Sequence, residues 1–395
     1  MDSLPAQIFV SEPGSFAEYT MLHRLPHILQ NVRDQNAYPP EIQANLAALH
    51  LELYDGQVQP LVDDGADAAF WRQACSLWQE RTWQQLPWFF AETYFYRRIL
   101  DAVDYFHPGP WQWHDPFAVP KLQGLAQGIT RITTLLQAAP DVRVQYDAFR
   151  FWFFHSLWGN RSDFSNLLAL AHAQNLTSVV NDDLLVDDSL QVWIAFQRGG
   201  IERLDIVCDN AGPELMTDLA FADMLLTQHL AGQVVLHVKA QPYYVSDAMI
   251  QDVKTSVRYL QMSTEKAVSF LGARLEEEMQ DGRLRCSAHP FWTTCLTLFQ
   301  IPPDLLQDMS QAQVTFFKGD VNYRRLLDDR HWPSTTPLAE VPNQVPNDYV
   351  VLRTVKSELI CGLAIGQSEQ IALSDPKWQI NGRWGLVQYV TRPRI

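Results

Sequence analysis

Along the first 180 residues, apolar positions recur at helical spacing. Phe16, Tyr19, Leu22, Leu25, Ile28, Leu29 and Val32 fall on one face, with Pro26 as a kink or boundary. The same period predicts helices over Ile42–Leu53, Ala66–Trp83, Trp88–Val103, Leu122–Leu136, Val142–Leu157 and Leu167–Gln174. A loop rich in Pro and Trp, His107–Pro120, interrupts them. From about residue 181 the texture changes. Apolar runs of strand length now appear at Leu204–Cys208, Val234–Val238, Val314–Phe317, Val350–Leu352 and Leu386–Val390. They alternate with helical stretches such as Ala248–Tyr259 and Lys266–Met279, as in βαβ units with a mostly parallel sheet. The Pro-rich stretch Trp332–Pro346 reads as a loop or linker. Two domains are expected, a helix-rich one over 1–180 and an α/β one over 181–395.

The ends of the strands are more informative than the strands themselves. Four apolar runs end directly on polar residues: Asp209/Asn210, Lys239 with Asp247 beyond, Lys318/Asp320/Asn322, and Arg353/Lys356. In a parallel sheet such strand ends gather along one edge, where open α/β sheets bind ligands. The sharpest case is Leu204–Leu226, LDIVCDNAGPELMTDLAFADMLL. Asp209 and Asn210 close a strand, and Pro213 suits the first turn of the next helix because it lacks an N–H that would go unsatisfied there. A carboxylate and an amide oxygen side by side are hard donors suited to Mg²⁺ or Mn²⁺. Asn322, Tyr323 and Arg324 open a helix and add donors for a phosphate.

Each of these residues also has a plainer reading. Asp209 and Asn210 fit an Asx turn, and Asp247 fits the N-cap of a helix starting at Ala248. Lys318-Gly319-Asp320 fits a tight turn. Arg325 fits a solvated or salt-bridged cation, and Lys356 a solvated one. Glu214 suits either a helix start or a residue orienting a metal-bound water.

Composition narrows the function. The net charge of −15 argues against a general nucleic-acid binder, which needs a basic footprint. No run approaches the length of a membrane span, and the opening MDSLPAQIFVSEPGSF has no basic n-region. The expectation is therefore a cytoplasmic protein, with the nucleus as a second compartment. The five cysteines are dispersed without CxxC, which fits a reducing compartment and packed thiols. Sequons at Asn160 and Asn175 carry little weight without a secretion signal. The histidines lack zinc spacing, and GxGxxG, GxxxxGK[ST] and GxSxG are all absent.

The ordered set DNAGPELMTDLAFADMLL, HVKAQPYYVSD, FFKGDVNYRRL and RTVK resembles the damage-control phosphatases. The branch is the acidic-residue methyltransferase-like one, marked by RTxK near the C-terminus. SFAEYTMLHRLPHIL, LPWFFAETYFYRRI and LWGNRSD also look like this branch, so the resemblance covers nearly the whole chain. It implies a helical N-terminal domain on an α/β/α sandwich with a Rossmann-like sheet. It also implies hydrolysis of sugar phosphomonoesters, fructose 1-phosphate and fructose 6-phosphate among them, with Mn²⁺, Ni²⁺, Co²⁺ or Mg²⁺. By this resemblance Asp209, Asn210 and Asp247 hold the metal and are the catalytic set. Glu214, Lys318, Asp320, Asn322, Tyr323, Arg324 and Lys356 contact the substrate. The family more often has an aromatic residue where Pro213 stands. The partner implied is a small phosphorylated metabolite, with neither nucleic acid nor membrane, and the protein is expected to be monomeric.

Two other classes compete with this reading. One is an S-adenosylmethionine-dependent methyltransferase acting on protein carboxylates, against which stands the lack of a glycine-rich loop. The other is a non-enzymatic metabolite-binding protein.

Overall fold

The computed structural model of the chain describes residues 4–141, 145–159 and 183–393. The helix expected over Leu167–Gln174, both sequons and most of LWGNRSD lie outside the described residues.

Seven strands form one sheet: β1 (Leu184–Asp187), β2 (Arg203–Val207), β3 (Gln233–His237), β4 (Leu284–Ser287), β5 (Val314–Lys318), β6 (Asp348–Thr354) and β7 (Gly385–Val390). Their order is β1-β7-β6-β5-β2-β3-β4. All neighbours run parallel except β6 and β7. Five of the seven match the apolar runs within two residues at either end. The edge strands β1 and β4 were not anticipated, because each is only four residues long and mixes polar with apolar side chains. β2 and β5 are buried along their whole length, as central strands covered on both faces must be.

One face of the sheet packs under the helices Ala118–Ala138, Gln145–Leu157, Pro213–Thr227, Ile250–Gln261 and Lys266–Gln280. Ala118–Ala138 and Gln145–Leu157, from the helix-rich half, pack directly on Pro213–Thr227. The other face joins a single core with the earlier helices Leu25–Gln35, Pro40–Asp55, Ala68–Ser76 and Trp88–Ala102. Ala68–Ser76 is shorter than its periodicity suggested, because the chain turns at Glu80, which has φ 69°.

The first helical segment departs from a simple kink. An α-turn, Phe16–Tyr19, runs into a π-turn, Thr20–Arg24, and then into Leu25–Gln35. Pro26, in the first turn of that last helix, has no N–H and crowds the carbonyl four residues back. The chain answers by widening one turn instead of breaking.

From β2 the chain moves outward through β3 to β4, then returns to the other side of β2 as β5 and proceeds to β6. The gap between the carboxyl ends of β2 and β5 is thus the topological switch point, the usual ligand crevice of such sheets.

Candidate active site

Asp209 and Asn210 leave β2 at that gap. The loop turns at Gly212 (φ 73°), whose Cα lies so close to the Gly124 backbone that a Cβ would stand 3.3 Å from it. Pro213 then opens the helix, as expected. The same loop is clamped to a second segment. Ala248 N–H donates to the Asp209 carbonyl at 2.8 Å, and Ala211 N–H to the Ser246 carbonyl at 2.6 Å. Asn210 and Asp247 face each other as an isolated antiparallel bridge. Two residues far apart along the chain are thereby fixed side by side.

Asp247 is not a helix cap. The helix begins at Ile250 with Met249 at its cap, and the Asp252 carboxylate accepts the Met249 N–H at 2.8 Å. A parallel bridge between Lys239 and Met249 keeps this stretch extended. Just before it, Tyr244 (φ 44°) and Val245 (φ 63°) are both left-handed. That is costly for a β-branched residue and concentrates at functional loops.

A cavity of about 380 Å³ opens here. Six of the ten candidate residues line it: Asp209, Asn210, Asp247, Asp320, Arg324 and Lys356. The other four lie behind it. Glu214 is buried and accepts from Asn210 Nδ2 at 3.0 Å, so it orients the amide. Lys318 is buried against Asp218 (2.8 Å), Ser156 Oγ (2.8 Å) and Glu214 (3.5 Å), with its charge spent on them. Asn322 donates to the Lys318 carbonyl at 2.7 Å and to the Cys208 carbonyl at 3.3 Å, tying the ends of β5 and β2 together. The Tyr323 hydroxyl accepts the Cys361 N–H at 3.0 Å, and its ring lies under Arg353.

The cations sort by whether they already have partners. Arg324 lines the cavity but is gripped by Asp329 (2.8 and 3.1 Å) and Glu92 (2.5 Å), and it stacks on Trp88 at 3.5 Å. Arg353 is fully buried and pairs with Asp320 at 2.7 Å and Ser357 Oγ at 2.9 Å. It props Asp320 from behind and is not part of the cavity lining. Arg325 is not solvated: it is buried and donates to the carbonyls of Phe291, Trp292, Thr294 and Leu296. Lys356 has no carboxylate ion pair among the described residues; its backbone N–H donates to Asp320 at 3.3 Å.

Burial raises the Asp209 carboxyl well above its ordinary range, and the like charges of Glu214 and Asp247 raise it further against Lys239 and Lys356. Burial pushes Asp247 up to about 6, although Lys239, 3.0 Å away, pulls it down. Burial also acts to raise Asp320, but Arg353 outweighs it together with other donors and holds Asp320 below the usual range. Asn210 turns its amide nitrogen to Asp209 at 2.8 Å and its oxygen to the Ser246 hydroxyl. Two buried acids that repel each other, with that amide between them and Ser246, form a set of groups a divalent cation would satisfy. Among the described residues no three His, Cys, Asp or Glu side chains stand grouped as a ready metal cage. A third oxygen donor here would have to be an amide, that of Asn210. Gly319, first in the helix after β5, has no Cβ, and the Asp209 carboxylate occupies the space one would fill. On these grounds the residues present fit the implied ion.

The opposite wall was missed. It comes from the helical half, with Arg24 and His27 at and just beyond the end of the π-turn and Trp88, Glu92 and Tyr96 from one helix. Trp88, Glu92 and Tyr96 recur every four residues and so share a face. An acid at the centre of an aromatic face, in WFFAETYFY, was the available signal.

Comparison with known proteins gives one consistent result. The profile of the family described as "Damage-control phosphatase ARMT1-like domain" matches residues 20–371. Damage-control phosphatase ARMT1 of Mus musculus is 32% identical, covering 98% of this chain and 99% of that protein. The Homo sapiens protein of the same name is also 32% identical with the same coverage, and the Danio rerio one is 31% identical, covering 98% of this chain and 97% of its own.

Proposed function

This chain belongs to the ARMT1-like damage-control phosphatases, and on that premise we propose that it hydrolyses sugar phosphomonoesters with the aid of a divalent cation. Fructose 1-phosphate and fructose 6-phosphate are the proposed substrates, and Mn²⁺, Ni²⁺, Co²⁺ or Mg²⁺ the proposed ion. The observation that carries the reading is the joining of Asp209, Asn210 and Asp247 at the floor of one cavity that Lys356 also lines. Asp209, Asn210 and Asp247 would hold the ion, which when bound polarises a phosphoryl oxygen.

The chain's own groups do the rest. Lys356, with no carboxylate ion pair among the described residues, neutralises phosphate charge. Asp320, kept ionised by Arg353, accepts hydrogen bonds from substrate hydroxyls. Arg324 is held flat on Trp88, where the N–H groups not spent on Asp329 and Glu92 remain for a phosphate oxygen. Trp88 and Tyr96 give the cavity an aromatic wall. Glu214, Lys318, Asn322 and Tyr323 shape the site from behind.

The test is phosphate release from the two fructose phosphates, measured with each ion and with chelator. Asp209→Asn and Asp247→Asn are run beside the unsubstituted chain. Release that needs the ion and is lost in both variants supports the reading. Equal release by either variant at saturating ion would overturn the assignment.

A further inference from the structure

We infer that Arg24, delivered by the N-terminal π-turn, is the residue that recognises the sugar end of the substrate and so sets selectivity; this rests on the phosphatase reading of the same cavity. The geometry begins with the π-turn. In an unbroken α-helix, eight residues would carry Arg24 roughly 80° past the direction of Phe16. One extra residue accommodated in a turn places Arg24 where a seventh residue would stand, about 20° short of two full turns. The structure shows that alignment: the Arg24 guanidinium sits over the Phe16 ring at 5.1 Å, and Phe16, Arg24, His27 and Ile28 all line the cavity. Without the π-turn the cation would swing off this wall.

Burial tells floor from mouth. Asp247 and Asp209 are 1% and 9% exposed, whereas Arg24 and His27 are exposed. A phosphoryl group held at the floor leaves the carbon skeleton of its ester pointing to the mouth, where Arg24 stands. Arg24 also differs from the other two arginines here. Arg324 and Arg353 each pair with a carboxylate of this chain, but Arg24 has no ion pair among the described residues. Its guanidinium donates to the Thr20 hydroxyl at 3.4 Å. A guanidinium carries five N–H donors, so most of its capacity is left for hydroxyl and ring oxygens. Between mouth and floor, Tyr96 and Tyr244 stack at 4.7 Å and bound the space that a sugar ring would occupy.

The experiment compares two substrates on the full chain with saturating Mn²⁺: fructose 1-phosphate, and p-nitrophenyl phosphate, which has no hydroxyls for Arg24 to bind. For Arg24→Ala the ratio of kcat/KM, sugar ester over aryl ester, falls about tenfold, through KM for the sugar ester. Arg24→Lys keeps the charge without the planar fork and recovers only part of that ratio. The melting temperature serves as the check on folding. An unchanged ratio in Arg24→Ala would overturn the inference while leaving the phosphatase reading intact. An equal loss on both esters would also overturn it, by making Arg24 a phosphate clamp. Failure of the unsubstituted chain to cleave either ester with any divalent ion would overturn the phosphatase reading and this inference with it.

Discussion

Replacing Gly319 by alanine perturbs the site at its tightest point. An ideal Cβ at Gly319 would lie 2.1 Å from Asp209 Oδ2 and 2.2 Å from Cγ, where ordinary contact begins near 3.4 Å. The carboxylate must therefore retreat by roughly 1 Å, or β5 and its helix must move. The carboxylate has little freedom to yield, because Asn210 Nδ2 holds it at 2.8 Å and Ala248 holds its backbone. A misplacement of about 1 Å at a catalytic group costs on the order of 10²-fold in rate. A second cost is conformational: Gly319 has φ 81°, and alanine there loses about 1–2 kcal/mol. Gly282→Ala separates the two, since Gly282 has φ 73° with nothing within 4 Å of its Cβ position. Both variants should melt a few degrees lower, by about 2–4 °C per kcal/mol at most in a chain of this size. Only Gly319→Ala should lose phosphate release, by about 100-fold. If Gly319→Ala kept activity within about threefold of Gly282→Ala, Asp209 would not be needed where the structure places it.

Removing the divalent ion with chelator should abolish phosphate release, and restoring the ion at about 100 times its dissociation constant should stabilise the chain by about 2.7 kcal/mol in thermal unfolding, a gain absent from Asp247→Asn. Arg324→Ala strands Glu92 and Asp329 as buried charges and should lower stability by about 3–5 kcal/mol in urea titration. Lys356→Ala should raise KM for both fructose phosphates about tenfold or more, with the melting temperature nearly unchanged. Burial, aided by the charge of Arg131, drops His155 to about 3, so the unfolded chain takes up a proton below pH 6.5 that the folded chain refuses. Stability must then fall as pH drops from 6.5 toward 3, by on the order of 2 kcal/mol at about pH 5, and His155→Gln should flatten that slope.

The sequence showed the sheet well where strands are central and the site well where strands end. Apolar runs revealed β2, β3, β5, β6 and β7 because burial on both faces leaves little room for polar residues. It showed the β2 turn because Pro213 suits only a few positions in a helix. Burial of cations was not legible. Arg324 and Lys318 sit beside loop residues that look ready for phosphate, yet their charges are neutralised by Glu92, 232 residues away, and by Asp218, 100 residues away. A linear pattern cannot show a partner at that distance. Asp247 resembles a cap for a similar reason: two isolated bridges, one to Asn210 on another loop and one from Met249 back to Lys239, hold its stretch extended, and they outweigh the local preference for capping. The π-turn was half legible, since Pro26 announced a disturbance without saying that the helix would widen rather than break.

These long separations tie the helical half to the chemistry. Arg324 can stand at the cavity as a buried cation only because Glu92 and Asp329 flank it and Trp88 lies beneath it. Two of those three supports, Glu92 and Trp88, come from one helix of the first hundred residues. That helix is in turn anchored by Phe89 N–H on Asp329 at 2.8 Å, so helix and cation fix each other through a shared carboxylate. Tyr96, one turn beyond Glu92, stacks on Tyr244 in the strained loop that presents Asp247. A single helix face thus touches the support of Arg324 at one end and the support of Asp247 at the other. Any change that shifts this helix along its axis must disturb both groups together.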